Sequence, residues 1–124
     1  MNHSSELDGQ KRWLRNHAAI SFPWHHCGEV IRLVIAQEPT LPGRVAMVLQ
    51  HIDESNVAIQ VRMLGVVACK LPEIGTKRLA YSHAILADVR DWQLEGVTFR
   101  LYDENFAEPE FLCHSIRVRF IGRK

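Results

Sequence analysis

The feature that most constrains the fold is the alternation of apolar and polar side chains over residues 57–63, which read Val-Ala-Ile-Gln-Val-Arg-Met. A period of two places successive side chains on opposite faces of an extended strand, so this segment predicts a half-buried strand. The turn cluster 53–56 precedes it, and Gly65 marks a bend after it. Such a strand has to pair with others, because a lone strand leaves its backbone N–H and C=O groups unsatisfied.

Other short segments also have sequences typical of strands: 29–35, 44–52, 66–71, 97–101 and 112–121. The segment 79–92 has alanines that favour a helix and an alternation that favours a strand; its neighbours favour the strand. Residues 103–110 are acidic and are expected to form a loop or one helical turn. The absence of long crossover helices predicts a mostly β fold, a single antiparallel β-barrel or sandwich, or α+β if 79–92 is helical.

The domain organisation predicted from the sequence is simple. Residues 1–16 are expected to form a short N-terminal helix or arm, because Leu7, Trp13 and Leu14 give a narrow apolar stripe. That stripe is too short to be stable alone and has to dock on the rest of the chain. Residues 17–124 are expected to form a single β-rich domain, since a chain of 124 residues is of ordinary single-domain size.

Composition narrows the class of partner. Fifteen basic and fourteen acidic side chains leave a net charge of +1. Because this charge is too small to attract a polyanion over long range, nucleic acid is not an expected partner. The sequence has no run of about 18 apolar residues and no secretory pattern, which predicts a cytoplasmic protein with no membrane partner. Three cysteines without a C-x-x-C pair indicate reduced thiols rather than a disulfide framework.

Potential metal ligands are densest in residues 24–29, which read Trp-His-His-Cys-Gly-Glu. Imidazole and thiolate groups bind first-row metals, and a second pair lies near the other end of the chain. The candidate ligands are His25, His26, Cys27, Cys113 and His114. They would form one site if the flanking strands pair; otherwise the histidines are solvated or hydrogen-bonded at the start of a strand.

His25, His26 and Glu29 resemble the first motif of the cupins, metal-binding β-barrels in which histidines and a glutamate precede an apolar strand. His83 would then correspond to the histidine of the second cupin motif. The resemblance implies a cupin-like metal-binding barrel.

A second resemblance covers more of the chain. PilZ domains, six-stranded barrels that bind cyclic di-GMP, carry an R-x-x-x-R segment before the barrel and a D-x-S-x-x-G turn within it. Residues 11–15, Lys-Arg-Trp-Leu-Arg, and 53–58, Asp-Glu-Ser-Asn-Val-Ala, resemble these motifs, and 87–99 resembles a PilZ closing strand. The resemblance implies a cyclic dinucleotide, with phosphates held by the arginines and a base edge by the turn. The residues concerned are Arg12, Arg15, Asp53 and Ser55.

Arginines recur at positions predicted to point outward from strands: Arg32, Arg62, Arg100, Arg117 and Arg119. Neighbouring strands would bring them into one basic face, on which Arg117 and Arg119 are candidate anion ligands. The alternative is an ordinary solvated face, balanced by the acidic run 103–110.

No motif of nucleophilic, phosphoryl-transfer or metal-dependent catalysis occurs, which makes an enzyme less expected than a binding protein. The predicted function is a small cytoplasmic non-catalytic binding or adaptor domain, whose partner is an unidentified small anion or a protein. A PilZ-like anion-binding barrel and a cupin-like barrel are the alternatives. The strand 112–121, if it lies at a sheet edge, predicts a homodimer.

Overall fold

A computed structural model describes residues 12–38, 41–73 and 78–122. These residues form mainly strands, arranged in two antiparallel sheets over one hydrophobic core. The mostly β prediction is therefore confirmed, and the pair of sheets is closer to the expected sandwich than to a barrel. Within the described residues, no helix has the length and apolar character needed to cross a membrane.

The first sheet has five strands, in the spatial order β1 (Leu14–Arg15), β9 (Ser115–Gly122), β4 (Val57–Val66), β3 (Leu41–His51) and β2 (Cys27–Glu38). Val57, Ile59, Val61 and Met63 are buried, as the alternation in β4 predicts. The intervening side chains of β4 form part of the outward face of the sheet.

The second sheet has four strands, in the order β5 (Ala68–Lys70), β8 (Ala107–Cys113), β7 (Phe99–Asp103) and β6 (Ala84–Asp88). The predicted strand within 79–92 is confirmed at β6, and a single 3₁₀ turn follows at Arg90–Trp92. The helical alternative is wrong because Ala84 and Leu86 are buried while the backbone pairs with β7, which outweighs the helix propensity of alanine.

The structure corrects two predictions over residues 103–121. The predicted loop 103–110 is shorter, since β8 begins at Ala107, and the predicted strand 112–121 is divided at His114. There the chain passes from one sheet to the other beside Gly65. The His114 N–H lies 3.1 Å from the Leu64 oxygen, and a Cβ built on Gly65 would lie 2.8 Å from the His114 Cβ. Gly65 also has a φ of +64°, so this corner requires glycine.

The segment 112–121 was expected to support a homodimer if it lay at a sheet edge, and the structure meets that condition only in part. β9 is paired with β4 along its whole length and with β1 at Arg117 and Val118. β8 lies between β5 and β7. Within the described residues, the segment 112–121 is therefore not one continuous open edge, because β8 is paired on both sides and β1 covers part of β9.

The predicted N-terminal helix falls largely on residues 1–11, which lie outside the described residues. The described end of the segment is extended: β1 pairs with β9, and a 3₁₀ helix follows at Asn16–Ser21. Asn16 adopts a left-handed φ of +54°, and its side-chain oxygen accepts the Ile116 N–H at 3.1 Å. Asparagine tolerates this conformation better than most residues, so Asn16 ends β1 and redirects the chain.

Candidate anion-binding site

The outward face of the five-stranded sheet carries a row of arginines. Arg15 on β1 faces Arg117 on β9, and Arg117 faces Arg62 on β4. Arg119 lies in the next row, opposite Gln60, and its Nε donates a hydrogen bond of 2.8 Å to the Gln60 Oε1. Adjacent strands are about 4.8 Å apart, so these guanidinium groups can act on one ligand. We call Arg15, Arg62 and Arg117 the arginine row.

Trp13 lies against this cluster. Its ring centroid is 5.5 Å from the guanidinium carbon of Arg62, 4.7 Å from that of Arg117 and 4.3 Å from that of Arg119. Trp13 and Arg15 are two residues apart in extended backbone, which places both on the same side of the sheet. Each cation–π contact at a partly exposed site contributes about 0.5–1 kcal/mol, which offsets part of the repulsion between the arginines.

The described part of the chain does not neutralise the positive charge of the arginine row. Among the described residues, no carboxylate lies within 4.0 Å of Arg15, Arg62 or Arg117. Other described arginines do pair with carboxylates, for example Arg78 with Glu29, Arg90 with Asp88, and Arg100 with Glu110. Like charges directly opposite each other destabilise a sheet, so the arrangement suits an anion that is supplied from outside.

Two shallow cavities border the row. One, of about 190 Å³, is lined by Arg15, Asn16, Arg62, Ser115 and Arg117, among others. The other, of about 230 Å³, lies towards β3 and β2, and it shares Arg62 and Arg117 with the first. A ligand with more than one anionic group can therefore occupy both sides of the same two guanidinium groups.

The predicted turn of Asp53 and Ser55 connects β3 to β4, and both residues are exposed. Gln50 holds the turn, because its Nε2 donates to the Glu54 oxygen at 2.9 Å and to the Val57 oxygen at 3.1 Å. Asp53 and Ser55 are thus exposed on a turn that hydrogen bonds from Gln50 stabilise.

The turn and the arginine row occupy different parts of the outward face. Four residues separate Ala58, beside the turn, from Arg62, which corresponds to roughly 13 Å along a strand. The structure therefore brings Arg15, Arg117 and Arg119 together, while Asp53 and Ser55 lie towards one end of the face. Arg12 is exposed and directly precedes Trp13.

The predicted metal ligands are not gathered into one site. The rings of His25 and His26 are in contact, with centroids 4.2 Å apart, whereas His114 is exposed at the corner between the sheets. Burial raises the pKa of the Cys27 thiol far above its usual value and that of Cys113 to about 12, which disfavours the thiolate. In the described ranges, no three His, Cys, Asp or Glu side chains converge as a metal centre needs.

Sequence reasoning missed the role of Trp13, which it assigned to the apolar stripe of a helix. The five outward arginines were expected to share one face only if their strands were neighbours, and Arg100 lies on β7 of the other sheet. There its guanidinium carbon is 3.7 Å from the centroid of the Tyr102 ring. The residue spacing Trp13-x-Arg15 was a usable signal, since alternate residues share a face in extended chain.

Comparisons of the chain with protein-family models, with curated proteins and with solved structures found no match.

Proposed function

We propose that this domain is a non-catalytic binding module that holds a phosphate-bearing anion on the outward face of its five-stranded sheet. The observation that supports it best is the cross-strand row of Arg15, Arg117 and Arg62, unneutralised among the described residues and in contact with Trp13. Guanidinium groups bind phosphate through paired, charge-assisted hydrogen bonds. A bound anion also relieves the repulsion within the row, so binding stabilises the fold.

A nucleotide fits this face better than a simple inorganic anion. Its phosphates would contact the arginines, and its base would stack on an aromatic or guanidinium plane beside Trp13. The resemblance to PilZ domains supports a cyclic dinucleotide, because Arg12 and Arg15 lie next to Trp13 and the turn 53–58 ends the same face. Cyclic di-GMP is therefore the first ligand to test.

Isothermal titration calorimetry with cyclic di-GMP, a linear dinucleotide and pyrophosphate tests the proposal. We expect Arg62→Gln and Arg117→Gln each to raise the dissociation constant about tenfold or more, since each removes a charge-assisted contact of roughly 1.5–3 kcal/mol. Arg78→Gln is the matched control: this exposed arginine pairs with Glu29 and lies outside the row.

The three probes separate the ligand classes. Binding of cyclic di-GMP alone supports a cyclic dinucleotide, and comparable binding of all three supports a general phosphate site. The proposal is wrong if none of the three binds, or if the Arg62 and Arg117 variants bind as tightly as the Arg78 control.

A further inference from the structure

β2 is the outer strand of the five-stranded sheet, and only its first part is covered. The Val30 N–H donates to the Leu79 oxygen at 2.8 Å, and the Tyr81 N–H donates to the Gly28 oxygen at 3.0 Å. Beyond that point, no described residue pairs with the free side of β2. The edge at residues 32–36 therefore offers backbone donors and acceptors to another strand.

The side chains along this edge are unusually exposed for apolar residues. Val34 is 43 % exposed on the outward face, and Ile35 is 46 % exposed although it points to the inner face. On that inner face, Met47 and Leu49 of the neighbouring strand are 1 % and 0 % exposed. Among the described residues, the second sheet does not extend over this end of β2 and β3, and Ile35 remains about half exposed.

We propose that β2 pairs antiparallel with β2 of a second copy, about a two-fold axis at Val34. In this register Val34 faces Val34 of the second copy, and Leu33 faces its Ile35, which covers the exposed isoleucine. Arg32 faces Ala36 of the second copy, so no like charges are opposed. The strand is complementary to itself, as an isologous interface requires.

The pairing joins two five-stranded sheets into one continuous sheet. Its axis is perpendicular to the sheet, so both outward faces lie on the same side of the dimer. Each copy then presents its arginine row and Trp13 on one common surface. The pairing uses the backbone and apolar side chains of β2 and no arginine of the row, while Val34 also lines the cavity on the β2 side of the row.

Introducing a charge of either sign at Val34, on the two-fold axis, gives the sharpest test. In Val34→Lys or Val34→Glu, each charge faces its own copy, so either variant alone is expected to be monomeric by light scattering. An equimolar mixture is expected to form a heterodimer by native mass spectrometry, because lysine then faces glutamate. Val67→Lys is the control: Val67 is 50 % exposed, lies between β4 and β5, and should leave the dimer intact.

Ala36→Arg provides a second variant at an exposed position, since it places two arginines opposite each other across the axis. Circular dichroism confirms that each variant is folded. The proposal is supported if the wild-type mass is twice the 14.3 kDa of one chain and the mixed variants recover that mass. A monomeric wild type, a dimer that survives Val34→Lys and Ala36→Arg, or a failure of the mixture to pair overturns it.

Discussion

Arg62 on β4 and Arg117 on β9 lie directly opposite each other, and both guanidinium groups lie against the ring of Trp13. Like charges in such a cross-strand pair cost about 0.2–1 kcal/mol relative to alanine. Since no carboxylate among the described residues pairs with either arginine, the fold carries this cost without compensation from an ion pair. A binding role for the pair explains why the sheet contains it.

Repulsion within the row predicts an unusual response to salt. We expect the free energy of unfolding of the wild type to rise with ionic strength, because salt screens exposed like charges. In Arg117→Gln the rise should be smaller, since this variant removes the arginine that faces both Arg15 and Arg62. Urea unfolding at low and high sodium chloride measures it. An equal rise in the wild type and the variant would contradict the account.

Trp13 should report ligand binding. The chain has three tryptophans, and the ring of Trp13 is the one in contact with the arginines of the site. We expect pyrophosphate to change the intrinsic fluorescence of the wild type and to leave that of Trp13→Phe unchanged. Trp92→Phe is the control, because Trp92 follows β6 in the other sheet. A response that persists in Trp13→Phe would place the anion elsewhere.

Features of the fold that depend on neighbouring residues in the sequence could be predicted, and features that depend on contacts between the two sheets could not. The strand at 57–63 was predictable because its alternation is a local pattern that the core then enforces. The break at His114 was not predicted, because the change of phase from buried Cys113 to buried Ile116 does not distinguish a corner from a bulge, and only the second sheet determines where the chain turns. Propensity alone could not decide 79–92 for the same reason.

The candidate site was predictable only in part. Arg15, Arg117 and Arg119 were identified from motif and alternation, but their proximity depends on register between strands about 50–100 residues apart in the chain. Arg62 was placed outward from the sequence, yet nothing local indicates that it faces Arg117. Arg100 has the same local pattern and lies on the other sheet.

Asp103 is expected to be the most sensitive polar position of the described core. It is fully buried, and its Oδ1 accepts the N–H groups of Ser82 and His83 at 2.7 and 2.8 Å. Its Oδ2 accepts those of Asn105 and Phe106 at 3.1 and 2.9 Å. Asparagine would turn an NH₂ group towards one of these donor pairs.

We therefore expect Asp103→Asn to lower the free energy of unfolding by about 3 kcal/mol, because two backbone N–H groups lose their charged acceptor and face an NH₂ group instead. Urea denaturation measures the change, and Glu104→Gln, at the exposed neighbouring position, is the control. If the free energy of unfolding falls no more than in the control, the four hydrogen bonds do not hold the segment of Ser82 and His83 to that of Asn105 and Phe106.

We expect Asp88 to contribute to the loss of stability of the fold at low pH. The Arg90 backbone N–H, followed by the His17 and Arg90 side chains, lowers the pKa of the Asp88 carboxyl to about 2. Because the pKa is lower in the folded state, the contribution is present above the usual carboxyl value of about 3.9 and is lost as the pH falls through about 2. Unfolding of Asp88→Asn measured from pH 5 to pH 2 should depend less on pH than that of the wild type. An unchanged pH dependence would exclude this contribution.

The position of the bound anion is the most direct test of the account. Two-dimensional NMR spectra of the isotope-labelled protein, recorded during separate titrations with cyclic di-GMP and with pyrophosphate, report which backbone amides respond. We predict saturable shifts confined to residues 13–16, 60–64 and 115–119, which surround the arginine row. Shifts confined to the four-stranded sheet, or no saturable shift with either anion, would contradict the central claim.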